Sequence, residues 1–300
     1  MQNWRNTFDV LFSAGSHRKQ QNPLILPKNK RSDMRASIEQ VIASLGNPSP
    51  PEKIVQDVFE GDITAYIRLC SLHGKDPNWH DLFEPIQDMC YLENLQADLI
   101  RYVFPICLRG WALDLMDEID IDGLVENFWL ALAGRTEVWE ILGSEGSDAV
   151  SDFMRDTILD RMDREHELSF SGRAASPYAW FHALGSYTVV FPSLDSLWEI
   201  WWEMGTSGLA ASALQYASCL MYENDRNPIF SPWTPTGGGG PPALWEVDGA
   251  IYEQAAHPDN IAFLEHVLTP EYLQSKIQKA ATILRGRARP SPQLRRVIRR

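Results

Sequence analysis

The chain has 300 residues, 44% of them hydrophobic, including 11 Trp and 12 Phe, so it can bury a large core without disulfides or a structural metal. No apolar run approaches the ~18 residues that would indicate a membrane span, and the first residues lack the basic-then-apolar order of a signal peptide. Four cysteines at unpatterned spacings predict reduced thiols in a cytoplasmic protein rather than a disulfide framework.

The net charge of −13 hides a strong segregation along the chain. Residues 1–35 carry seven basic and two acidic side chains, and residues 276–300 carry nine basic and no acidic ones, which leaves −27 for the body between them. Within this body, residues 114–167 hold sixteen carboxylates against four arginines. Such a field attracts cationic partners and repels nucleic acid, although an ordinary solvated surface has the same composition.

The first half of the chain reads as a series of helices separated by Gly or Pro. Apolar residues at helical spacing predict helices over 33–45, 52–60, 63–73 and 79–90, with Asp33 and Asn78 as N-caps. The more apolar run 95–116 predicts a buried central helix pair, because Pro105 and Gly110 should kink or divide it. Three further helices are expected over 122–133, 136–142 and 148–167, the second ending at Gly143 and the third capped by Ser147.

The second half contains the single strand candidate. Tyr187-Thr-Val-Val-Phe191 is rich in β-branched and aromatic residues and is bounded by Gly185-Ser186 and Pro192. Helices are expected over 194–201, 207–222, 247–268 and 270–285, the last starting at Thr269-Pro270-Glu271, and 223–243 reads as a long loop. The predicted fold is therefore mainly α, a multi-helix bundle or stacked helical hairpins, with at most one short β element near 187–191.

The same pattern suggests four regions. A basic, partly flexible segment over 1–32 precedes an acidic helical domain over 33–168, and an aromatic-rich helical domain follows over 169–285. The second domain contains the flexible loop 223–243, and it is either separate from the first domain or continuous with it. A basic tail over 286–300 closes the chain, either docked on the acidic body or bound to another molecule.

The acidic helix over 148–167 is the candidate docking surface. Its predicted solvent side carries aspartates spaced by four, four, four and three residues, which form one stripe: Asp148, Asp152, Asp156, Asp160 and Asp163. We expect the last four to contact a partner. Trp201 and Trp202 are the candidate aromatic anchors, because adjacent residues on a helix do not face the same core, so one of them should lie at the surface or in a groove.

Motifs that could support catalysis or metal binding are incomplete. Glu118-Ile-Asp120-Ile-Asp122-Gly123 starts like a calcium loop, but Trp129 stands where the bidentate carboxylate belongs. Cys70, His73, His80 and Cys90 are zinc-type ligands, yet both cysteines fall on apolar helix faces. Glu165-His166-Glu167 reads as a solvated helix end. No cofactor and no metal is therefore predicted.

Residues 38–111 resemble an uncharacterised group of bacterial immunity-like or accessory proteins found near toxin systems. The similarity rests on Ile38-Glu39, the acidic segment 57–62, Trp79 with Asp81, and Arg101-Tyr-x-Phe-Pro105. The resemblance implies a protein that binds and inhibits a partner, and it transfers no functional residues.

The sequence therefore favours a non-enzymatic interaction protein, of which an immunity-type inhibitor that binds a cationic partner such as a toxin is one form. Two alternatives remain open at this point. One is an enzyme with a sparse site around His73, Asp76 and His80. The other is a scaffold protein held by its basic tail. The sequence predicts neither the partner nor the oligomeric state.

Overall fold

The computed structural model describes residues 38–55, 63–72, 75–91, 95–121, 135–166, 179–222 and 257–287, together with residues 124, 125, 128 and 132. In this part of the chain every regular element is helical, and no strand occurs. The mainly α prediction is therefore confirmed. The helices are α1 over 38–44, α2 Thr64–Cys70, α3 Phe83–Tyr91, α4 Ala97–Leu115, α5 Thr136–Asp163, α6 Ala179–Val190, α7 Asp195–Glu203, α8 Ser207–Tyr222, α9 Pro258–Val267 and α10 Pro270–Arg287, with a 3₁₀ turn Trp79–Leu82 ahead of α3.

Helix α4 runs unbroken through Pro105 and Gly110. The expectation that these residues divide it is wrong. Proline removes one backbone hydrogen bond, but most side chains around it are fully buried, including Phe104, Leu108 and Trp111, and burial on this scale outweighs one missing bond. Gly110 is needed for packing rather than for a break, because a Cβ there would overlap the side chain of Leu82.

Helix α5 contains a real interruption at Gly143, whose φ of 75° and ψ of 171° suit glycine alone. The predicted end at Gly143 is thus confirmed. The helix resumes directly afterwards instead of at residue 148, so Ser147 is not its N-cap. The Ser147 hydroxyl instead donates 2.8 Å to the Gly143 carbonyl.

The predicted strand 187–191 is wrong, because its first four residues form the last turn of helix α6. An isolated strand would leave its backbone groups unpaired in a buried setting, whereas a helix pairs them internally. Tertiary contacts reinforce the helical choice. The Asn260 side chain donates to the carbonyls of Thr188 (2.9 Å) and Phe191 (2.7 Å), and so caps the end of α6 from helix α9.

Helix α8 is the most enclosed element, with every described side chain from Ser207 to Cys219 buried. It packs against α5, α7 and α10. At its start, a Cβ on Gly208 would lie 2.6 Å from the Asp163 Cα and closer still to the carbonyl of that residue. Glycine therefore allows the backbones of α5 and α8 to touch.

Buried side chains from both predicted domains form one connected hydrophobic cluster, which extends from Ile38 to Ala280. The proposed boundary near residue 168 lies outside the described residues, as do the segment 1–32 and the loop 223–243. Helix α10 continues to Arg287, two residues into the predicted tail, and the rest of that tail is likewise outside them.

None of the helices in the described residues has the length and hydropathy needed to cross a membrane.

Candidate acidic docking face

Beyond Gly143, the outer side of helix α5 is lined by carboxylates. Glu145, Asp148, Asp152 and Asp156 are all exposed and are spaced by three, four and four residues, so they share one helix face. The side chains of Asp152 and Asp156 are 65% and 57% exposed. We call these four residues the acidic face. Asp152 and Asp156, two of the four aspartates predicted to contact a partner, therefore lie in an accessible row. Glu145 belongs to the same row, although it was not predicted as a contact residue.

One arginine lies within this row. Arg155 places Nη1 2.6 Å from Asp152 Oδ1 and Nη2 2.9 Å from Asp156 Oδ1, while its own side chain is only 23% exposed. Burial lowers the pKa of Arg155, but the hydrogen bond to Asp156 and the charges of Asp156 and Asp152 outweigh burial and leave this pKa raised. The guanidinium stays charged and holds the two carboxylates in place, while each keeps most of its surface in solvent.

Asp160 and Asp163 differ from the rest of the stripe, since both are only partly exposed. The Thr206 hydroxyl donates to the Asp163 carboxylate, at the junction between α5 and α8. The charge of Asp160 acts on Arg164, whose guanidinium donates 2.9 Å to the Met116 carbonyl. Asp163 therefore interacts with the start of α8 and Asp160 with Arg164 at the end of α5, and the accessible part of the stripe ends at Asp156.

The expectation of a solvated helix end is met at His166, which is exposed, but is wrong for Glu165, and Glu167 lies outside the described residues. The Glu165 side chain is only 10% exposed and accepts 2.6 Å from Arg161 Nη1. Its second oxygen accepts 2.7 Å from the Gln215 amide, and the carbonyl of that same amide accepts from Trp180 Nε1 at 3.2 Å. This chain of polar contacts joins the end of α5 to α8 and α6, so Glu165 has a structural role.

Neither aromatic anchor candidate reaches the surface. Trp201 and Trp202 are 0% and 1% exposed, so the expectation that one of them lies at the surface or in a groove is wrong. Helix α7 is covered on two sides. Trp201 Nε1 donates 2.9 Å to Ser212 of α8, and the Trp202 ring packs 5.7 Å from the Tyr272 ring of α10.

Of the three residues proposed for an enzymatic site, the described part of the chain includes Asp76 and His80. Asp76 pairs with Arg109 at 2.9 Å, His80 is exposed, and His73 lies outside the described residues. Burial, followed by the charge of Asp98, raises the pKa of the Cys70 thiol, which disfavours the nucleophilic thiolate. Within the described residues no three His, Cys, Asp or Glu side chains are arranged to hold a metal ion.

The outer side of helix α7 forms a second acidic row that the sequence analysis missed. Asp195, Glu199 and Glu203 are exposed at intervals of four residues, beside Ile200, which is 47% exposed. The four-residue spacing of these carboxylates is visible in the sequence. This row provides a natural internal control for the acidic face of α5.

Comparisons with protein-family models, curated proteins and solved structures find no match to this chain.

Proposed function

We propose that this chain is a non-enzymatic interaction protein of the bacterial cytoplasm, an immunity-type inhibitor that captures a cationic partner such as a toxin. The observation that carries the proposal is the acidic face of α5, with exposed carboxylates at Glu145, Asp148, Asp152 and Asp156 and one half-buried arginine among them. The resemblance of residues 38–111 to immunity-like proteins supports the same class of function.

The acidic face suits the recognition of a basic surface for a physical reason. A row of like charges concentrates negative potential on one side of the molecule and accelerates encounter with an oppositely charged partner. Arg155 limits the mutual repulsion of Asp152 and Asp156 without covering them. Because both carboxylates are already held by Arg155, less side-chain entropy remains to be lost when a partner binds.

Fewer of the residues predicted from the sequence are assigned to contact with the partner. We assign contact with the partner to Asp152 and Asp156, together with Glu145 and Asp148 from the same face. Asp160 and Asp163 interact with Arg164 and Thr206, and Trp201 and Trp202 are buried, so these four residues contribute to the fold. The cationic partner therefore docks by charge on one helix face rather than by inserting a group into an aromatic pocket.

The test uses the partner captured by the tagged full-length chain from its native cell and then purified. We expect Asp152→Lys combined with Asp156→Lys to reduce the association rate about tenfold or more at low salt and to flatten its salt dependence, since steering contributes ~10–10³-fold. Association rates are measured by stopped-flow mixing between about 0.02 and 0.5 M salt, a range over which the screening length falls steeply.

The matched control is Asp195→Lys combined with Glu199→Lys, which changes the net charge equally but lies on α7. If steering depends on the local face, the control should retain most of the wild-type rate. An equal loss of association rate in both variants would show that the rate depends on net charge and not on the local face. An unchanged rate in the α5 variant, with an intact circular-dichroism spectrum, would eliminate the acidic face as the docking surface.

A further inference from the structure

We draw no further inference here: the strongest candidate, the acidic face of helix α5 as a surface that the basic residues of 288–300 could cover, belongs to the docking surface already proposed, and nothing in the described residues shows what covers it.

Discussion

Substituting Gly208 by alanine tests a close backbone approach between helices α5 and α8. Glycine at this position lets the start of α8 lie directly on the backbone of α5 at Asp163. A Cβ would lie 2.6 Å from the Asp163 Cα, whereas carbon atoms pack at about 3.5–4.0 Å. The two helices must therefore separate by about 1 Å or more. No side-chain rotation can relieve this overlap, because the obstructing atoms belong to the backbone.

The expected loss of stability follows from two contributions. Overpacking that forces a backbone shift costs about 1–3 kcal/mol. The shift also disturbs the hydrogen bond from Thr206 to Asp163, which contributes about 1 kcal/mol in a typical case. The better helix propensity of alanine returns at most about 1 kcal/mol. We therefore expect Gly208→Ala to lower the free energy of unfolding by about 2–3 kcal/mol.

Urea unfolding, followed by circular dichroism and tryptophan fluorescence, measures this loss. Gly205→Ala is the matched control, because a Cβ on Gly205 meets nothing within 4 Å. We expect that control to stay within about 0.5 kcal/mol of the wild type, as surface substitutions usually do. If Gly208→Ala also leaves the free energy of unfolding unchanged, then α5 and α8 do not touch at this point, and this packing of the two helices is incorrect.

Three further predictions concern stability. Asn260→Ala removes two buried hydrogen bonds to the end of α6, and should lower the free energy of unfolding by roughly 2 kcal/mol in the same urea assay. Asp117 has a φ of 58°, a left-handed conformation that strains side chains. Asp117→Gly should therefore raise the free energy of unfolding by about 0.5 kcal/mol, net of the entropy glycine loses. Finally, burial raises the pKa of the Cys107 thiol above its ordinary value of 9.0. Above pH 9 the unfolded thiol loses its proton while the folded one keeps it, so stability should fall by up to about 1.4 kcal/mol per pH unit from this group. Cys107→Ala should reduce that slope, measured by urea unfolding between about pH 8 and 10.5.

Each of these predictions has an outcome that contradicts it. An unchanged stability in Asn260→Ala would mean that α9 does not cap α6. A loss of stability in Asp117→Gly would show that the contact of Asp117 with Arg161, at 3.6 Å, outweighs the backbone strain. For Cys107, an alkaline slope identical in wild type and variant would assign the loss to other groups, such as Tyr187, whose pKa burial also raises.

Several features of the fold could be predicted from the sequence because they depend on a few neighbouring residues. Gly46, with a φ of 78°, lies just after α1, directly beyond the end of the predicted helix 33–45. The break at Gly143 was also predicted, and the Thr269 hydroxyl accepts from the Tyr272 backbone at the start of α10, as the Thr-Pro-Glu pattern implied. Local conformational preference decides each of these positions.

The candidate site was only partly predictable. Spacing alone placed Asp152 and Asp156 on one exposed helix face, which the structure shows. It could not show that Asp163 meets Thr206 or that Glu165 is buried against Gln215, because those contacts join residues 43 and 50 positions apart. The partners lie on another helix, so no periodicity within α5 indicates them.

The sequence itself thus determined the helix periodicity, the ends of several helices and the concentration of negative charge. Each of these follows from residues close together in the chain. The tertiary structure alone decided that 187–190 is helical and that α4 continues through Pro105. It also decided that two adjacent tryptophans can both be buried, since α8 and α10 cover different sides of α7. Most importantly, it divided one stripe of aspartates, because Asp152 and Asp156 stay largely in water whereas Asp163 accepts from Thr206 at the start of α8.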